Sequence, residues 1–317
     1  MRAGPLRGSG ANTGALDARR AGRRAHEDED EDEVVRAAGR WDTAETRCGA
    51  CAVVTGVHML LDGSVAVVTG AGTGIGREIA LRMAAEGADV VLTGRSVGPM
   101  EEVAEQIRTA GRRTLVVPMD LRDAASIEAA AQAAQGEFGR VDVLVNNSGV
   151  GGPSKPLWEI DAEEWEETFL VNVTGTFLCC KAFLPGMLAQ RSGSIVIIGS
   201  ITGKRPLINR TPYAASKTAL IGLVRTLAWE VGPSGIRVNL LSPGGVEGER
   251  LAWVLEQQAA ARGISVDEAR AEFAEGSPLK TLVSPGDVAD TATYLASSRA
   301  ASITGEDVNV AAGLVMY

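Results

Sequence analysis

Apolar residues along this chain follow two different periods, and the two periods alternate from residue 65 onward. Short runs that are apolar at nearly every position predict strands covered on both faces, because a half-exposed strand would alternate apolar with polar residues. Longer segments with apolar residues three and four positions apart predict helices. The predicted strands are Val65–Gly70, Asp89–Gly94, Thr114–Pro118, Val141–Asn146, Ser194–Gly199, Ile236–Leu241 and Val308–Val310.

This alternation predicts an α/β fold in which a parallel sheet is doubly wound, with helices on both of its faces. The clearest helical segments are Asp123–Glu137, Asp161 to about Leu188, and Pro212–Val231. In the second segment we expect Trp165, Phe169 and Phe177 to be the core anchors. Neither a repeat nor a linker interrupts residues 59–317, so we expect them to form one domain.

The first 58 residues differ in composition from the rest of the chain. They are rich in Arg, Ala and Gly and include seven consecutive acids at positions 27–33. A block of like charges repels itself and stays solvated, so we expect a disordered leader without catalytic function. It is either a regulatory appendage or a start-site artefact, because Met59 is a natural start for a domain whose first strand begins at Val65.

The charge and hydropathy of the chain exclude some classes of partner. The formal net charge is −9, which argues against nucleic acid. There is no run of about 18 apolar residues and no apolar segment typical of a secretory signal. We therefore expect no membrane span. The four cysteines indicate no disulfide framework, so we expect a reducing, cytoplasmic location.

Histidine and cysteine limit the chemistry of residues 59–317. Both histidines, His26 and His58, precede Met59, so the predicted domain has neither a Ser-His-Asp triad nor a His-ligated zinc site. Cys48 and Cys51 have C-x-x-C spacing, but no second pair accompanies them. The adjacent Cys179 and Cys180 lie in an apolar helical run, where core packing is expected. We predict no metal site.

The string AVVTG occurs twice, at residues 52–56 and 66–70, and only the second copy is followed by a glycine cluster. A strand, a glycine turn and a helix start form a phosphate-binding cradle, because glycine lets the backbone approach a pyrophosphate and the helix N-terminus offers free N–H groups. We therefore predict a Rossmann-type dinucleotide site here and regard the first copy as a chance resemblance. The predicted contacts are Gly70, Thr73, Gly74, Ile75 and Gly76.

A second group of candidate residues consists of a serine that follows a strand and a tyrosine and a lysine in the next helix. Tyr213 and Lys217 are four residues apart in a predicted helix and so share one face. A neighbouring ammonium lowers the pKa of a phenol, which then serves as an acid or base near neutral pH. Ser200 directly follows the fifth predicted strand, where its hydroxyl can reach the same atom.

Together these motifs resemble the short-chain dehydrogenase/reductase family, from about Leu60 to Tyr317. Asn146-Asn147-Ser148-Gly149 looks like the family's NNAG element, and Pro243-Gly244 looks like its PG motif near the nicotinamide. The resemblance implies that Asn172, Ser200, Tyr213 and Lys217 are catalytic. The further cofactor contacts that it implies are Asp120 and Leu121 near the adenine, Asn147, Ser148, Gly149, Tyr213, Lys217, Pro243, Gly244 and Val246.

The resemblance also implies a mechanism and an assembly. Tyr213 would exchange a proton with the substrate oxygen, Ser200 would hydrogen-bond that oxygen, and Lys217 would lower the Tyr213 pKa and hold the nicotinamide ribose. Asn172 would position a water that links Lys217 to solvent. A homotetramer, or a dimer, is the implied assembly. Two departures stand out: no Thr follows PG, and Ala311-Ala312-Gly313 replaces the usual Asp-Gly-Gly near the C-terminus.

The end of the second predicted strand bears on the choice of cofactor. NAD-specific relatives place an acid there for the ribose hydroxyls, whereas this chain has Gly94 followed by Arg95. A guanidinium suits a 2′-phosphate, so NADP(H) is favoured. Thr73 occupies a position where some NADP-dependent relatives carry a basic residue, which leaves NAD(H) possible.

Three functions remain open on the sequence. The first is a small-molecule oxidoreductase that interconverts a secondary alcohol and a ketone. The second is a 3-oxoacyl-thioester reductase acting on acyl carrier protein or coenzyme A, and the third is a non-catalytic dinucleotide-binding regulator. The segment around 246–280 matches the family's substrate lid, and its mixed composition names no substrate.

Overall fold

Residues 59–317 are described in the computed structural model, and they contain one parallel seven-stranded sheet in the order β3-β2-β1-β4-β5-β6-β7. The predicted doubly wound α/β fold is confirmed. Its strands are β1 Val65–Thr69, β2 Asp89–Gly94, β3 Thr114–Pro118, β4 Val143–Asn146, β5 Gly193–Ile198, β6 Ile236–Pro243 and β7 Asp307–Val310. The helices are α1 Gly74–Ala85, α2 Val97–Thr109, α3 Ala124–Phe138, α4 Ala162–Phe169, α5 Gly175–Gln190, α6 Thr211–Val231, α7 Glu249–Arg262, α8 Val266–Glu275 and α9 Pro285–Ala296.

The direction of winding reverses between β1 and β4, which are neighbours in the sheet with Val67 opposite Leu144. The chain runs outward from β1 to β3, crosses back to β4, and then runs outward to β7. In an open parallel sheet, such a reversal leaves a crevice beyond the carboxyl ends of the two central strands. The glycine turn after β1 and the polar residues after β4 and β5 all lie at this edge.

Apolar layers cover both faces of the sheet, as the continuously apolar strands predict. Successive side chains of a strand point to opposite faces. Val68 packs in one layer with Ile79 of α1, whereas Val67 packs in the other with Met187 of α5. All four of these side chains are fully buried. The sheet is thereby a rigid frame for the residues at its carboxyl edge.

The segment Ala162–Gln190 is continuously helical but not continuously α-helical, since a π-helical turn at Leu170–Thr174 separates α4 from α5. By length and composition alone it is apolar enough to cross a membrane. Its composition also has an explanation within the fold, because Cys180, Phe183 and Met187 fill the layer beneath the sheet. That stripe of buried positions gives a core helix its apolar character.

The expectation that Phe177 is a core anchor is wrong, because 47% of its surface is exposed. The buried stripe of α5 contains Thr176, Cys179 and Cys180, and Phe177 lies one position beyond Thr176. One position turns a helix by about 100°, which carries the ring out of the core. Trp165 and Phe169 are only partly buried and stack on each other, with ring centroids 4.9 Å apart.

The predicted lid segment consists mainly of the helices α7 and α8. Leu251, Leu255 and Ala259 of α7 are buried against Ala269 of α8, and together they form a small apolar cluster of their own. A bridge between Val246 and Val283 joins the base of this segment to the sequence before α9. The segment is thus a helical pair with a separate core.

The two cysteines of α5 are buried in the core, as predicted. Burial raises the pKa of the Cys180 thiol to about 12, so it stays protonated. No cluster of three or more metal-ligating side chains occurs within residues 59–317. Cys48, Cys51, His26, His58, the first AVVTG copy and the predicted disordered leader lie outside the described residues.

Candidate active site

The turn between β1 and α1 is too tight for side chains at its closest point. A Cβ placed on Gly76 would lie 2.2 Å from the carbonyl oxygen of Gly70. Gly74 has a φ of +54°, in the left-handed region that favours glycine, and its Cβ position is open. Glycine is therefore required at position 76 because a Cβ would clash, and it is favoured at position 74 because of the backbone conformation. The turn stays open on its outer side, next to Gly74.

The start of α1 offers unpaired N–H groups. Thr73 is the N-cap residue, makes no side-chain capping hydrogen bond, and is exposed together with Gly74. No acidic residue occupies the first turn, whereas Ile75 is half-buried and packs against the core. The N–H groups and the dipole of a helix start favour an anion. This turn therefore suits the pyrophosphate of a dinucleotide.

Hydrogen bonds join the end of β1 to the end of β4. The backbone N–H groups of Asn147 and Ser148 both donate to Oγ1 of Thr69, at 2.9 Å each. The Asn147 amide group also donates to the carbonyl oxygen of Thr69 at 2.8 Å. These contacts hold the segment that leads to Gly149 against the glycine turn.

Asp120 and Arg95 lie near each other beyond β3 and β2. A backbone hydrogen bond from Arg122 lowers the pKa of Asp120 against the opposing effect of burial, and the charge of Arg95 lowers it further. The N-cap of α3 is Asp123, whose carboxylate accepts a hydrogen bond from the N–H of Ala125. The Asp120 carboxylate instead accepts from the backbone N–H of Arg122 at 3.0 Å and pairs with the Arg122 guanidinium at 3.2 Å.

Other predicted contacts are packed within the fold near this edge. The side chain of Leu121 is buried in the core. Pro243 ends β6, and the N–H of Gly244 donates to the carbonyl oxygen of Val310 at 2.9 Å. Val246 packs partly buried against the core. All three segments lie at the carboxyl edge of the sheet.

Tyr213 and Lys217 lie on the first turns of α6, and Lys217 is buried. Its ammonium group donates to the carbonyl oxygen of Ile198 at 2.8 Å and lies 5.7 Å from the centroid of the Tyr213 ring. Burial alone would raise the pKa of Tyr213, but the charge of Lys217 and other cations outweigh it, and the pKa is lowered overall. Burial also lowers the pKa of Lys217.

Ser200 directly follows β5 and caps a short 3-10 turn. Its hydroxyl accepts from the N–H of Thr202 at 3.1 Å and donates to the Thr202 hydroxyl at 3.2 Å. Ser200 is also among the neighbours that lower the pKa of Tyr213. The structure therefore brings the serine, the tyrosine and the lysine together.

Asn172 lies in the π-helical turn and is buried. Its Oδ1 accepts from the N–H of Val150 at 2.8 Å, and its amide group donates to the Val150 carbonyl and to the Ser216 hydroxyl at 3.0 Å each. A π-turn inside an α-helix is frequent at functional sites. Here Asn172 ties the loop after β4 to the helix that carries Tyr213.

Sequence reasoning missed Arg210 entirely and treated Arg250 only as part of a mixed lid. The Arg210 guanidinium is 5.3 Å from the Tyr213 ring centroid and 5.6 Å from that of Trp253 in α7. Arg250 donates to the carbonyl oxygen of Gly149 at 2.8 Å. One signal was available for Arg210, because it directly precedes a helix, where the dipole disfavours a cation.

The chain belongs to the short-chain dehydrogenase family, whose model matches residues 64–259. It is 33% identical over 256 residues to 2,3-dihydro-2,3-dihydroxybenzoate dehydrogenase of Bacillus subtilis, covering 81% of this chain and 97% of the relative. It is 35% identical over 258 residues to the 3-oxoacyl-(acyl-carrier-protein) reductase of Escherichia coli, covering 81% of this chain and all of the relative.

Solved structures agree with this assignment. NAD⁺-bound xylitol dehydrogenase superposes with a TM-score of 0.77 at 27% identity, over 80% of this chain and 99% of the other. Actinorhodin polyketide ketoreductase with NADPH superposes with a TM-score of 0.77 at 36% identity, over 80% and 98%. The protein is thus an oxidoreductase that acts on CH–OH groups with a nicotinamide dinucleotide.

Proposed function

We propose that the protein interconverts a small secondary alcohol and the corresponding ketone, with Tyr213 as the acid and base. One observation carries this proposal: the buried Lys217 places its ammonium group 5.7 Å from the centroid of the Tyr213 ring, and its charge lowers the pKa of the Tyr213 phenol. A dinucleotide-binding regulator needs only the glycine turn and has no use for a phenol in this state.

Each polar side chain of the group has a role in this reaction. In ketone reduction, Tyr213 donates its proton to the substrate oxygen, and in alcohol oxidation it takes that proton back. Ser200 hydrogen-bonds the same oxygen and stabilises the charge that develops on it. Lys217 keeps the Tyr213 pKa low, and Asn172 positions a water that links Lys217 to solvent. The bound dinucleotide supplies or accepts the hydride at the carbon.

We assign binding of the dinucleotide to residues along the carboxyl edge of the sheet. The exposed start of α1 supports this assignment, since it would hold the pyrophosphate. The assigned contacts are Gly70, Thr73, Gly74, Ile75, Gly76, Arg95, Asp120, Leu121, Asn147, Ser148, Gly149, Tyr213, Lys217, Pro243, Gly244 and Val246.

NADP(H) is the proposed cofactor, and NAD(H) the alternative. Arg95 supports this choice, because it is exposed directly after β2 and no carboxylate stands at Gly94 to repel a 2′-phosphate. The similar structures leave the preference open, since one carries NAD⁺ and another NADPH. Fluorescence titration with NADPH and NADH side by side separates the two.

Reduction of a 3-oxoacyl thioester is the second candidate. The name of the Escherichia coli relative favours it, whereas the Bacillus relative is named for a ring substrate. The net charge of −9 disfavours an acidic carrier protein as partner. A ketone panel that includes acetoacetyl-coenzyme A decides between them by relative kcat/KM.

Further proposals concern the context of the enzyme. We propose that the protein is a homotetramer, or a dimer, and works in the cytoplasm without nucleic acid or membrane. We also propose that residues 59–317 form a single domain, in which the segment around 246–280 is the substrate lid. Exposed apolar side chains support association, and they include Leu170, Phe177, Leu188, Met316 and Tyr317. Light scattering of the purified full chain measures the oligomeric state.

The experiment that tests the reaction is Tyr213→Phe in the full-length protein, with Tyr294→Phe as control. Tyr294 is 40% exposed on α9, and its hydroxyl donates to the carbonyl oxygen of Arg299. We expect Tyr213→Phe to lower kcat by about 10²–10⁴-fold while dinucleotide affinity is retained. Full turnover in this variant would contradict the proposed role of Tyr213.

A further inference from the structure

Arg210 is an unusual residue for the interior of this protein. Only 5% of its surface is exposed, and its Nε has no hydrogen-bond partner within residues 59–317. A buried arginine is ordinarily paired with an acid, because an unpaired buried charge is costly. The single contact of its guanidinium with a backbone acceptor is Nη2 to the Gly151 carbonyl oxygen, at 2.6 Å.

The surroundings of Arg210 are cationic rather than acidic. Burial lowers the pKa of Arg210, Tyr213 raises it, and the charge of Arg250 lowers it again. Arg250 also lowers the pKa of both Tyr213 and Lys217. Within residues 59–317, no carboxylate is among the charged groups that shift the pKa values of Arg210, Tyr213 and Lys217.

The two arginines converge on one loop beside the catalytic tyrosine. Arg250 donates to the Gly149 carbonyl and Arg210 to the Gly151 carbonyl, so both guanidinium groups reach the segment that follows β4. Arg210 also lies against the rings of Tyr213 and Trp253, at 5.3 and 5.6 Å. A guanidinium has five N–H donors, so both arginines keep donors for a ligand.

We propose that the substrate carries a carboxylate close to the reacting carbon, and that Arg210, assisted by Arg250, binds it. This inference rests on the function proposed above and adds the class of substrate, a compact hydroxy acid or keto acid. A planar carboxylate matches the guanidinium fork and supplies the negative charge that Arg210 lacks. The position of Arg210 beside Tyr213 limits the carboxylate to a few bonds from the carbonyl.

The proposal also assigns a role to the lid. Arg250 and Trp253 both lie in α7, whereas Arg210 precedes α6. A carboxylate held between them would bring the lid helix and the catalytic helix onto one ligand. Substrate binding would then be coupled to the position of the lid.

Catalytic rates on matched ketones test the proposal in the full-length protein. The probes are 4-oxocyclohexanecarboxylate, 3-oxocyclohexanecarboxylate and the methyl esters of both. We expect kcat/KM for at least one acid to exceed that for its ester by about 10- to 100-fold. Arg210→Gln is expected to bring this ratio close to one, and Arg210→Lys to leave an intermediate value. Arg205→Gln, a matched change at an exposed residue, leaves the ratio unchanged.

The ratio of kcat/KM for the acid to that for its ester distinguishes two roles of Arg210, namely binding the substrate carboxylate and anchoring the Gly151 loop. If Arg210 only anchors the Gly151 loop, Arg210→Gln will lower the rates on acid and ester equally, and the proposal is overturned. An unmodified protein that reduces the esters but shows no preference for the acids also overturns it, while leaving the proposed reaction intact.

Calorimetry provides a readout that needs no turnover. Cyclohexanecarboxylate is expected to bind the dinucleotide-loaded protein about tenfold more tightly than cyclohexanecarboxamide, and Arg210→Gln to remove this difference. Equal affinities would overturn the carboxylate site. Carboxylate-selective binding without turnover of any ketone would support the site and contradict the proposed reaction instead.

Discussion

The two sides of the proposed catalytic crevice are built from different parts of the polypeptide. The turn side, residues 70–76 with the ends of β1 and β4, consists of backbone N–H groups, glycines and small polar side chains. The lid side, with Arg210, Arg250 and Trp253, presents large cationic and aromatic side chains. The binding properties of the turn side therefore depend on the backbone conformation. Those of the lid side depend on the identity of the side chains that come together there.

This difference predicts how each side responds to substitution. A backbone cradle fails when a side chain intrudes, and it tolerates most changes that leave its conformation intact. A side-chain site changes its specificity when one group is replaced, and the fold survives. Four substitutions test the contrast, from the largest expected effect to the smallest.

Gly76→Ala is expected to have the largest effect. The added Cβ would lie 2.2 Å from the Gly70 carbonyl oxygen, so the turn must deform. We expect dinucleotide affinity to fall at least about 100-fold and the free energy of unfolding to fall by about 1–3 kcal/mol. The control is Gly136→Ala on the exposed side of α3, where a Cβ meets nothing within 4 Å. Equal dinucleotide affinity in the two variants would contradict the close-approach argument.

Lys217→Met is expected to change the pH dependence of alcohol oxidation. In the proposed reaction, oxidation needs Tyr213 as phenolate, so we expect the rate to rise with pH through the Tyr213 pKa, which lies below its ordinary value of 10.0. Removing the Lys217 charge raises that pKa, and the rising limb moves to higher pH. At neutral pH we expect kcat to fall about 10- to 100-fold. A pH profile that matches that of the exposed Lys181→Met control would refute this account.

Arg95→Gln is expected to alter the choice of cofactor without affecting the chemistry. Loss of one guanidinium contact to a 2′-phosphate should weaken NADPH binding about tenfold and leave NADH binding unchanged. Fluorescence titration measures both affinities, with Arg225→Gln as the matched exposed control on α6. Equal losses for NADPH and NADH would show that Arg95 does not contact the phosphate.

Leu255→Ala is expected to have the smallest effect on the reaction. Leu255 is 1% exposed in the lid cluster, and its truncation should destabilise that cluster by about 2–5 kcal/mol. The cluster is separate from the layers that cover the sheet, so we expect KM for the ketone to rise by less than about tenfold, with dinucleotide affinity unchanged. Leu279→Ala, at a residue that is 71% exposed, is the control. A loss of dinucleotide affinity would mean that the two sides are coupled through the lid.

The turn side could be predicted from the sequence because its information is local. The Val-rich strand, the glycines and the helix follow one another within about 20 residues. Pairing of Tyr213 with Lys217 was equally accessible, since four residues on a helix specify a shared face. The confirmed fold likewise followed from periods that can be counted along the chain.

The lid side and the details of packing were not accessible in this way. Phe177 lies in an apolar run, and only its position relative to the buried stripe shows that it is exposed. Asp120 was expected near the adenine, but the sequence did not show that its carboxylate pairs with Arg122 of the same turn.

The order of strands and helices, the glycine turn and the Tyr213–Lys217 pair were determined by the sequence itself, because each depends on residues that are near one another along the chain. The meeting of Arg210, Arg250 and Trp253 beside Tyr213 was decided only by the tertiary structure. Arg210 is separated along the chain from Arg250 and Trp253 by α6 and β6, so their contacts arise from the path of the chain. The burial and the charge environment that make Arg210 a candidate for recognising an acid arise in the same way.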